Sequence, residues 1–283
     1  MKNINYPKSM NNKPLFSIVI ANYNHGSFIE QAIQSVLCQS YKNYELIVVD
    51  GNSSDSSVEI IKKYDDNISW WVSEPDSGQS EAFNKGFKMA KGKYFFWLNA
   101  DDVLINGALQ SAANYLKTRP KVEWISANTV FFDVTGKITK CTNGPSWSDF
   151  LFKNAPLLIY GPTSIFSREI FIETGGFDES LHFGMDTDLW LRFKCKGYRF
   201  EKIKKYFWGF RIHQDSKTSH SFSEVPSEEY RSERQVVMLK NSLSYSDVKL
   251  IFQKIHKLTS GLYLKSFFAT KKYSGKNIKN VQF

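Results

Sequence analysis

At 283 residues the chain is long enough to bury one generous core, or one α/β unit with an extension. Its formal charge of +9 is concentrated: residues 240–283 hold nine lysines against one acid, Asp247, which leaves the first 239 residues at +1. That distribution argues against a nucleic-acid-binding body and for a basic end with an anionic partner. The three cysteines, Cys38, Cys141 and Cys195, form no CxxC or Cys/His cluster and are odd in number, which favours a reducing compartment over a disulfide framework. Residues 1–13 are polar, read as a flexible N-terminus and carry no signal-peptide core; no run approaches the ~20 apolar residues of a membrane span. A cytoplasmic protein is expected, either free or peripheral on the inner face of a membrane.

Leu15-Phe16-Ser17-Ile18-Val19-Ile20-Ala21, led in by Pro14, reads as a strand buried on both faces. Asn22-Tyr23-Asn24-His25-Gly26 is a turn, and Ser27 is placed to cap a helix whose apolar residues Phe28, Ile29, Ala32, Ile33, Val36 and Leu37 recur at helical spacing. Residues 44–49 form a second strand that stops at Asp50-Gly51-Asn52-Ser53-Ser54-Asp55, with a helix through Val58, Ile60, Ile61 and Tyr64 after it. Residues 68–72 give a third strand, leading through Glu74-Pro75-Asp76-Ser77-Gly78-Gln79 into a helix over 80–90. The fourth strand, Tyr94-Phe95-Phe96-Trp97-Leu98, ends in Asn99-Ala100-Asp101-Asp102. Four strand–helix alternations with short links predict a parallel sheet with all four polar loops on one edge, the edge where open α/β sheets bind ligands.

Adjacent carboxylates at a buried strand tip repel unless a cation or hydrogen-bond donors compensate. Asp101 and Asp102 therefore read either as hard oxygen ligands for a divalent metal or, for Asp102, as the cap of a helix over 104–116. Neither GxGxxG after the first strand nor GxxxxGK[ST] is present, which removes a dinucleotide-binding Rossmann domain and a P-loop. Past a helix at 107–116 the rhythm breaks: 121–132 and 138–142 read as strands joined by Val134-Thr135-Gly136-Lys137, an antiparallel excursion. A short helix at 168–174 stops at Gly175-Gly176; Asp186 and Asp188 open another; residues 206–212 form a last strand ending at His213. Two acids two residues apart cannot share a helix face, so one orients while the other reaches the cleft.

These stretches together resemble family-2 glycosyltransferases of the GT-A fold, over about residues 14–219 and in matching order. Ser17-Ile18-Val19-Ile20-Ala21-Asn22-Tyr23-Asn24 is similar to the family's opening strand, and Asp50-Gly51-Asn52-Ser53-Ser54-Asp55 to its DGSSTD loop. Asn99-Ala100-Asp101-Asp102 takes the place of its DxD; Gly175-Gly176-Phe177-Asp178-Glu179 and Asp186-Thr187-Asp188-Leu189-Trp190-Leu191-Arg192 match its acceptor-side segments. The resemblance implies an α/β fold with a mostly parallel central sheet and a small antiparallel excursion, a donor half at 14–102 and an acceptor half at 103–220; the charge and apolar spacing beyond it read as a basic helical extension at 221–283. It implies metal-dependent, inverting transfer from a nucleotide-sugar donor, UDP- or GDP-linked, to a glycan or lipid-linked acceptor, as in building a bacterial surface polysaccharide.

Ala21, Tyr23, Asp50, Asp76, Gln79, Asn84, Asn99, Ala100 and Asp101 are then expected at the donor, and Asp101 with His213 at Mn2+ or Mg2+. Asp186 is expected as the general base, and Thr163 in Gly161-Pro162-Thr163-Ser164, with Trp190, at the acceptor. Against these stand plainer roles: a turn for Asp76, a structural histidine for His213, core packing for Trp190. The chain departs from the family at Asn99, where an Asp is usual, and at Met185, where a Glu is usual. A nucleotide-sugar binder without transfer is one alternative on those grounds; a nucleotidyltransferase is another, but it lacks a Gly- and Lys-rich first loop. No QxxRW is present, which points to one sugar per encounter. Val248, Ile251, Phe252, Ile255, Leu258 and Leu262 share a helical face, either docking on an anionic membrane or packing on the body.

Overall fold

The computed structural model describes residues 13–148, 159–214, 216, 228–241, 255 and 258–283. The first four strands are β1 (Phe16–Asn22), β2 (Tyr44–Asp50), β3 (Trp70–Ser73) and β4 (Tyr94–Asn99), joined by α1 (Gly26–Leu37), α2 (Ser57–Lys63) and α3 (Gln79–Met89). β1 pairs in parallel with β2 on one side and β4 on the other, and β2 with β3. All seven residues of β1 are buried, because helices cover both faces of a parallel sheet. The pleat sends Phe16, Ile18 and Ile20 into a core with α1 and α2, and Val19 and Ala21 into a second core with α3.

After β4 come β5 (Val103–Leu104), α4 (Ala108–Thr118), β6 (Trp124–Asp133), β7 (Ile138–Thr142) and β8 (Ser164–Ser167). They are followed by α5 (Arg168–Glu173), α6 (Met185–Cys195), β9 (Glu201–Ile212), α7 (Glu228–Lys240) and α8 (Leu262–Tyr273). The sheet runs β3-β2-β1-β4-β8-β6-β9-β5, with β7 paired to β6 beside this path. β8 is antiparallel to both β4 and β6, whereas β6 and β9 run parallel. The antiparallel part is thus a second half of the sheet, and it curls β9 back so that its last residues meet the tip of β4.

Three expectations change here. α4 begins at Ala108 after Gly107, which has φ 78° and no side-chain cap. Asp102 is therefore no helix cap; it precedes a two-residue strand that pairs with Trp208 and Gly209 of β9. Trp190, expected at the acceptor, is fully buried. Its ring stacks on Trp97 at 5.5 Å and on Trp124 at 4.9 Å, so it joins β4, β6 and α6 through their core. Thr163 is likewise buried; its hydroxyl donates to Tyr160 O at 2.7 Å and lies 3.4 Å from Ser126 Oγ, so it cannot meet an acceptor as placed.

Residues of the basic extension reach the body: Val237 and Met238 of α7 enter the second core, while Ile278 and Val281 join a third core with Ile138 and Cys141 of β7. Of the apolar face expected across 248–262, Val248, Ile251 and Phe252 lie outside the described residues, as do residues 1–12. Trp190→Ala removes the middle ring of the stack and is expected to cost about 3–5 kcal/mol. Urea denaturation followed by circular dichroism measures this, and a cost below about 1 kcal/mol would place the ring outside the core.

Candidate active site

The four polar loops lie along one edge, as parallel β1–β4 require, and the first two are clasped to each other. Asn24 and Asn52 take left-handed backbone, φ 53° and 64°, a conformation that asparagine tolerates better than most residues. Asn24 Oδ1 accepts Ser54 N at 2.9 Å, and Ser53 Oγ accepts Asn24 N at 2.8 Å. Asp55 serves two helix starts at once, accepting Ser57 N at 2.9 Å before α2 and Gly26 N at 2.7 Å before α1. Ser27 therefore does not cap α1.

Asp50 is fully buried at the tip of β2. Its oxygens accept Asn22 Nδ2 at 2.6 Å, Ser53 N at 3.0 Å, Ser53 Oγ at 2.5 Å and Ser73 Oγ at 2.6 Å. Asp76 stands beside this loop: a Cβ on Gly51 would lie 2.9 Å from Asp76 Oδ2. Burial raises the Asp76 pKa against the bond from Gly78 N and the Lys85 charge. Tyr23, 61% exposed, stands free at the same edge.

At the tip of β4 a chain of contacts explains why a neutral amide occupies position 99. Gln79 Nε2 donates to Asn99 Oδ1 at 2.5 Å, and Asn99 Nδ2 donates to Asp102 Oδ2 at 3.2 Å. A carboxylate at 99 could not donate to Asp102 and would add a third negative charge to Asp101 and Asp102. Asp102, fully buried, also accepts Trp208 Nε1 and Arg211 N, each at 2.9 Å. Burial, then the neighbouring Asp101 charge, push its pKa well above the usual carboxylate range. Ala100 is buried and its N–H is spent on Ala21 O at 3.1 Å, which corrects its expected contact with the donor; Ala21 likewise turns its methyl into the second core.

Arg211, buried, donates through Nε to Asp101 O at 2.7 Å and through Nη2 to Gln31 Oε1 at 2.8 Å, its guanidinium between the Phe28 and Phe132 rings. This brings His213 to Asp101: His213 Nε2 lies 3.0 Å from Asp101 Oδ2, and among the described residues its buried Nδ1 has no hydrogen-bond partner. Among the described residues no group of three or more His, Cys, Asp or Glu could hold a metal. A hard divalent cation that binds through one or two protein ligands plus phosphate oxygens and waters needs no third side chain. Asp101 and His213 fit such a shared site.

At the start of α6, Asp186 and Asp188 separate as the helix period demands. Asp188 turns into the protein and pairs with Arg192, Oδ2 2.8 Å from both Nε and Nη2. Asp186 accepts Thr187 N at 2.6 Å and Gly161 N at 3.1 Å. Burial raises its pKa against these bonds. Gly161 is required there, since a Cβ would fall 2.6 Å from Trp97 and 3.0 Å from Asp186 Oδ2. Asn84, expected at the donor, is spent on bracing: its amide bonds Phe177 N at 2.8 Å, Phe177 O at 2.9 Å and Glu179 Oε1 at 2.8 Å.

α7 fastens this segment from outside. Glu233 accepts His182 N at 2.9 Å and both Phe183 N and Gly184 N at 2.6 Å, placing its charge at the start of α6, where the helix dipole favours an anion. Lys240 pairs with Asp178 at 2.7 Å and holds that carboxyl down at about 2. Sequence reasoning assigned no role to Glu233, Arg211 or Gln31. An arginine between the apolar run Phe207-Trp208-Gly209-Phe210 and Ile212 is a readable signal of a buried partner; Glu233, in a mostly polar helix, offers none.

The comparisons place this geometry. The model of glycosyl transferase family 2 matches residues 17–207. An uncharacterised glycosyltransferase of Rickettsia typhi is 29% identical over 267 residues, covering 85% of this chain and 80% of that protein. The Escherichia coli UDP-Glc:alpha-D-GlcNAc-diphosphoundecaprenol beta-1,3-glucosyltransferase WfaP is 28% identical over 222 residues, 75% of this chain and 82% of its own. Among solved structures, Staphylococcus aureus TarS 1–349 with UDP-GlcNAc superposes with a TM-score of 0.60 at 18% identity, covering 88% of this chain and 75% of that one. The mannosyltransferase PcManGT from Pyrobaculum calidifontis, with GDP-Man and Mn2+, gives 0.60 at 18% identity, covering 92% and 73%. The fold is thus the GT-A arrangement of nucleotide-diphospho-sugar transferases. The chain belongs to glycosyltransferase family 2 and is a transferase of the glycosyl class.

Glu233→Ala leaves three backbone donors at the start of α6 without their acceptor and is expected to lower stability by roughly 1–3 kcal/mol. Urea denaturation checks this, and a change within about 0.5 kcal/mol would mean that the contact holds nothing.

Proposed function

We propose that the chain transfers a sugar from a UDP- or GDP-linked donor to a hydroxyl of a glycan or lipid-linked saccharide, with inversion at the anomeric carbon and with Mn2+ or Mg2+. The observation that carries this reading is the 3.0 Å approach of His213 to Asp101 at the tip of β4, on the edge that also holds the Asp50 loop. The donors and the Mn2+ in the TarS and PcManGT complexes support it, and so does the lipid-linked acceptor in the name of WfaP. A role in bacterial surface polysaccharide assembly, at the inner face of the cytoplasmic membrane, follows from such an acceptor.

In this reading Tyr23 stacks on the base, and Asp50 keeps its Asn22 and Ser73 bonds while exchanging the Ser53 hydroxyl for an N–H of the base edge. Asp76 and Gln79 face the donor from the start of α3, and Asn99 offers a neutral contact. Asp101 and His213 hold the cation, which when bound supplies Lewis-acid neutralisation of the leaving diphosphate. Asp186 takes the proton of the acceptor hydroxyl as that oxygen bonds the anomeric carbon and the diphosphate departs with the bonding electrons. Its separation from the buried Asp188–Arg192 pair leaves it the one of the two acids able to act. Holding donor and acceptor in register supplies much of the acceleration.

UDP- or GDP-sugars are expected to raise the melting temperature only when Mn2+ or Mg2+ is added; indifference to every nucleotide-sugar sinks the reading. Asp101→Ala should abolish the metal-dependent shift. Asp186→Asn should keep the shift and lower transfer by about 10²–10⁴-fold, the usual worth of a general base. Transfer near the parent rate would remove the base assignment.

The pH profile gives a further check. Asp186 acts ionised and burial raises its pKa. The rate should therefore fall on the acidic side through a midpoint above the ordinary aspartate value of about 3.9. A kcat profile flat down to about pH 4 contradicts it.

A further inference from the structure

Helix α8 is amphipathic in the reverse sense. Its inward face docks on β7 through hydroxyls: Cys141 N donates to Thr270 Oγ1 and Asn143 N to Ser266 Oγ, each at 3.0 Å. Ala269 and Tyr273 pack beside them against the third core. At 100° per residue the opposite face carries Leu264, Phe267, Phe268 and Lys271. Those three apolar side chains are 62%, 60% and 63% exposed, and Leu258, one turn before the helix, is 69% exposed. Three large apolar side chains facing water on a helix already fixed by its polar side are what an interaction surface presents.

The charges around this face select its partner. Residues 258–283 contain Lys265, Lys271, Lys272, Lys276 and Lys279 and no acid. Lys265 and Lys272 flank the apolar strip, and Lys271 lies within it. A second copy related by a two-fold axis would set lysine against lysine across the contact. An anionic bilayer accepts both features, the rings at the headgroup–acyl boundary and the ammonium groups among phosphates. We infer that the outward face of α8, centred on Leu264, Phe267 and Phe268, is a docking surface for an anionic membrane. It rides on β7, whose neighbour β6 pairs with β9, the strand that leads to His213. This deepens the proposed function by giving a lipid-linked acceptor a place to be met, but it rests on α8 alone.

The test is flotation of the full chain with phosphatidylcholine vesicles, with and without phosphatidylglycerol. The chain should float with the anionic vesicles and remain below with the neutral ones. Leu264→Ser, Phe267→Ser and Phe268→Ser together should cut the bound fraction by roughly tenfold or more. Lys265→Glu, Lys271→Glu and Lys272→Glu together should abolish flotation. The replaced side chains are exposed, so each variant should keep the nucleotide-sugar melting shift of the parent; that shift reports the donor site, so docking and transfer can fail separately. No flotation of the parent, flotation of the serine variant equal to the parent, or a parent dimer that the serine variant dissolves would each overturn the proposal.

Discussion

One buried carboxylate governs the geometry of the site. Asp102 has no access to water, and its cost is met only because Trp208, Arg211 N and Asn99 all converge on it. That convergence fixes the end of β9 against the end of β4. Arg211, sandwiched by Phe28 and Phe132, grips Asp101 O and ties in α1 through Gln31, and two residues further on His213 arrives at Asp101. Adjacent acids thus divide into a structural one, Asp102, that must stay buried and one, Asp101, whose side chain meets only His213 among the contacts described above. Asn99 is part of the same balance, since a third negative charge there would raise the cost of both.

The parallel half is legible in the sequence because a strand buried on both faces leaves an unbroken apolar run, and a loop at a strand's carboxyl end leaves a cluster of Asp, Asn and Ser. Phe16–Asn22, Tyr44–Asp50 and Tyr94–Asn99 show both signals. The edge carrying Asp50, Asp76 and Asp101 follows from the parallel arrangement alone. What sequence does not show is which way a side chain points once strands leave this rhythm. Trp190, in a segment that resembles the acceptor side of the family, and Thr163, expected to frame the acceptor with it, both point into the core. Asn84 carries an amide suited to a sugar hydroxyl, but the turn at Gly175-Gly176-Phe177 claims it. Gly176, with φ 74°, has its Cβ direction 2.9 Å from Asn84 Oδ1, so turn and amide are built as one unit.

The basic extension illustrates the same limit from the other direction. Two destinations were open for an amphipathic helix there, a membrane or the body. The helix expected across 248–262 lies largely outside the described residues, and α8, which follows it, spends one face on the body: its hydroxyls accept backbone N–H groups at and just after β7 while its rings face away. A hydropathy pattern reports that a helix has two faces; it does not report which face is spent on the protein. α7 makes a comparable point, since its outlying polar residues Glu233 and Lys240 are the ones that secure the loop before Asp186.

The indole stack has an optical consequence. Trp97 and Trp190 lie 5.5 Å apart at 26°, and Trp190 and Trp124 lie 4.9 Å apart at 23°. At such separations indole transitions couple, so the near-ultraviolet circular dichroism of the folded chain depends on how these rings are mutually placed. One ring belongs to the strand that leads to Asp101, another to the helix that carries Asp186. The molecule therefore contains a label-free gauge of the spacing between β4, β6 and α6, positioned where any shift of that helix against the sheet would register.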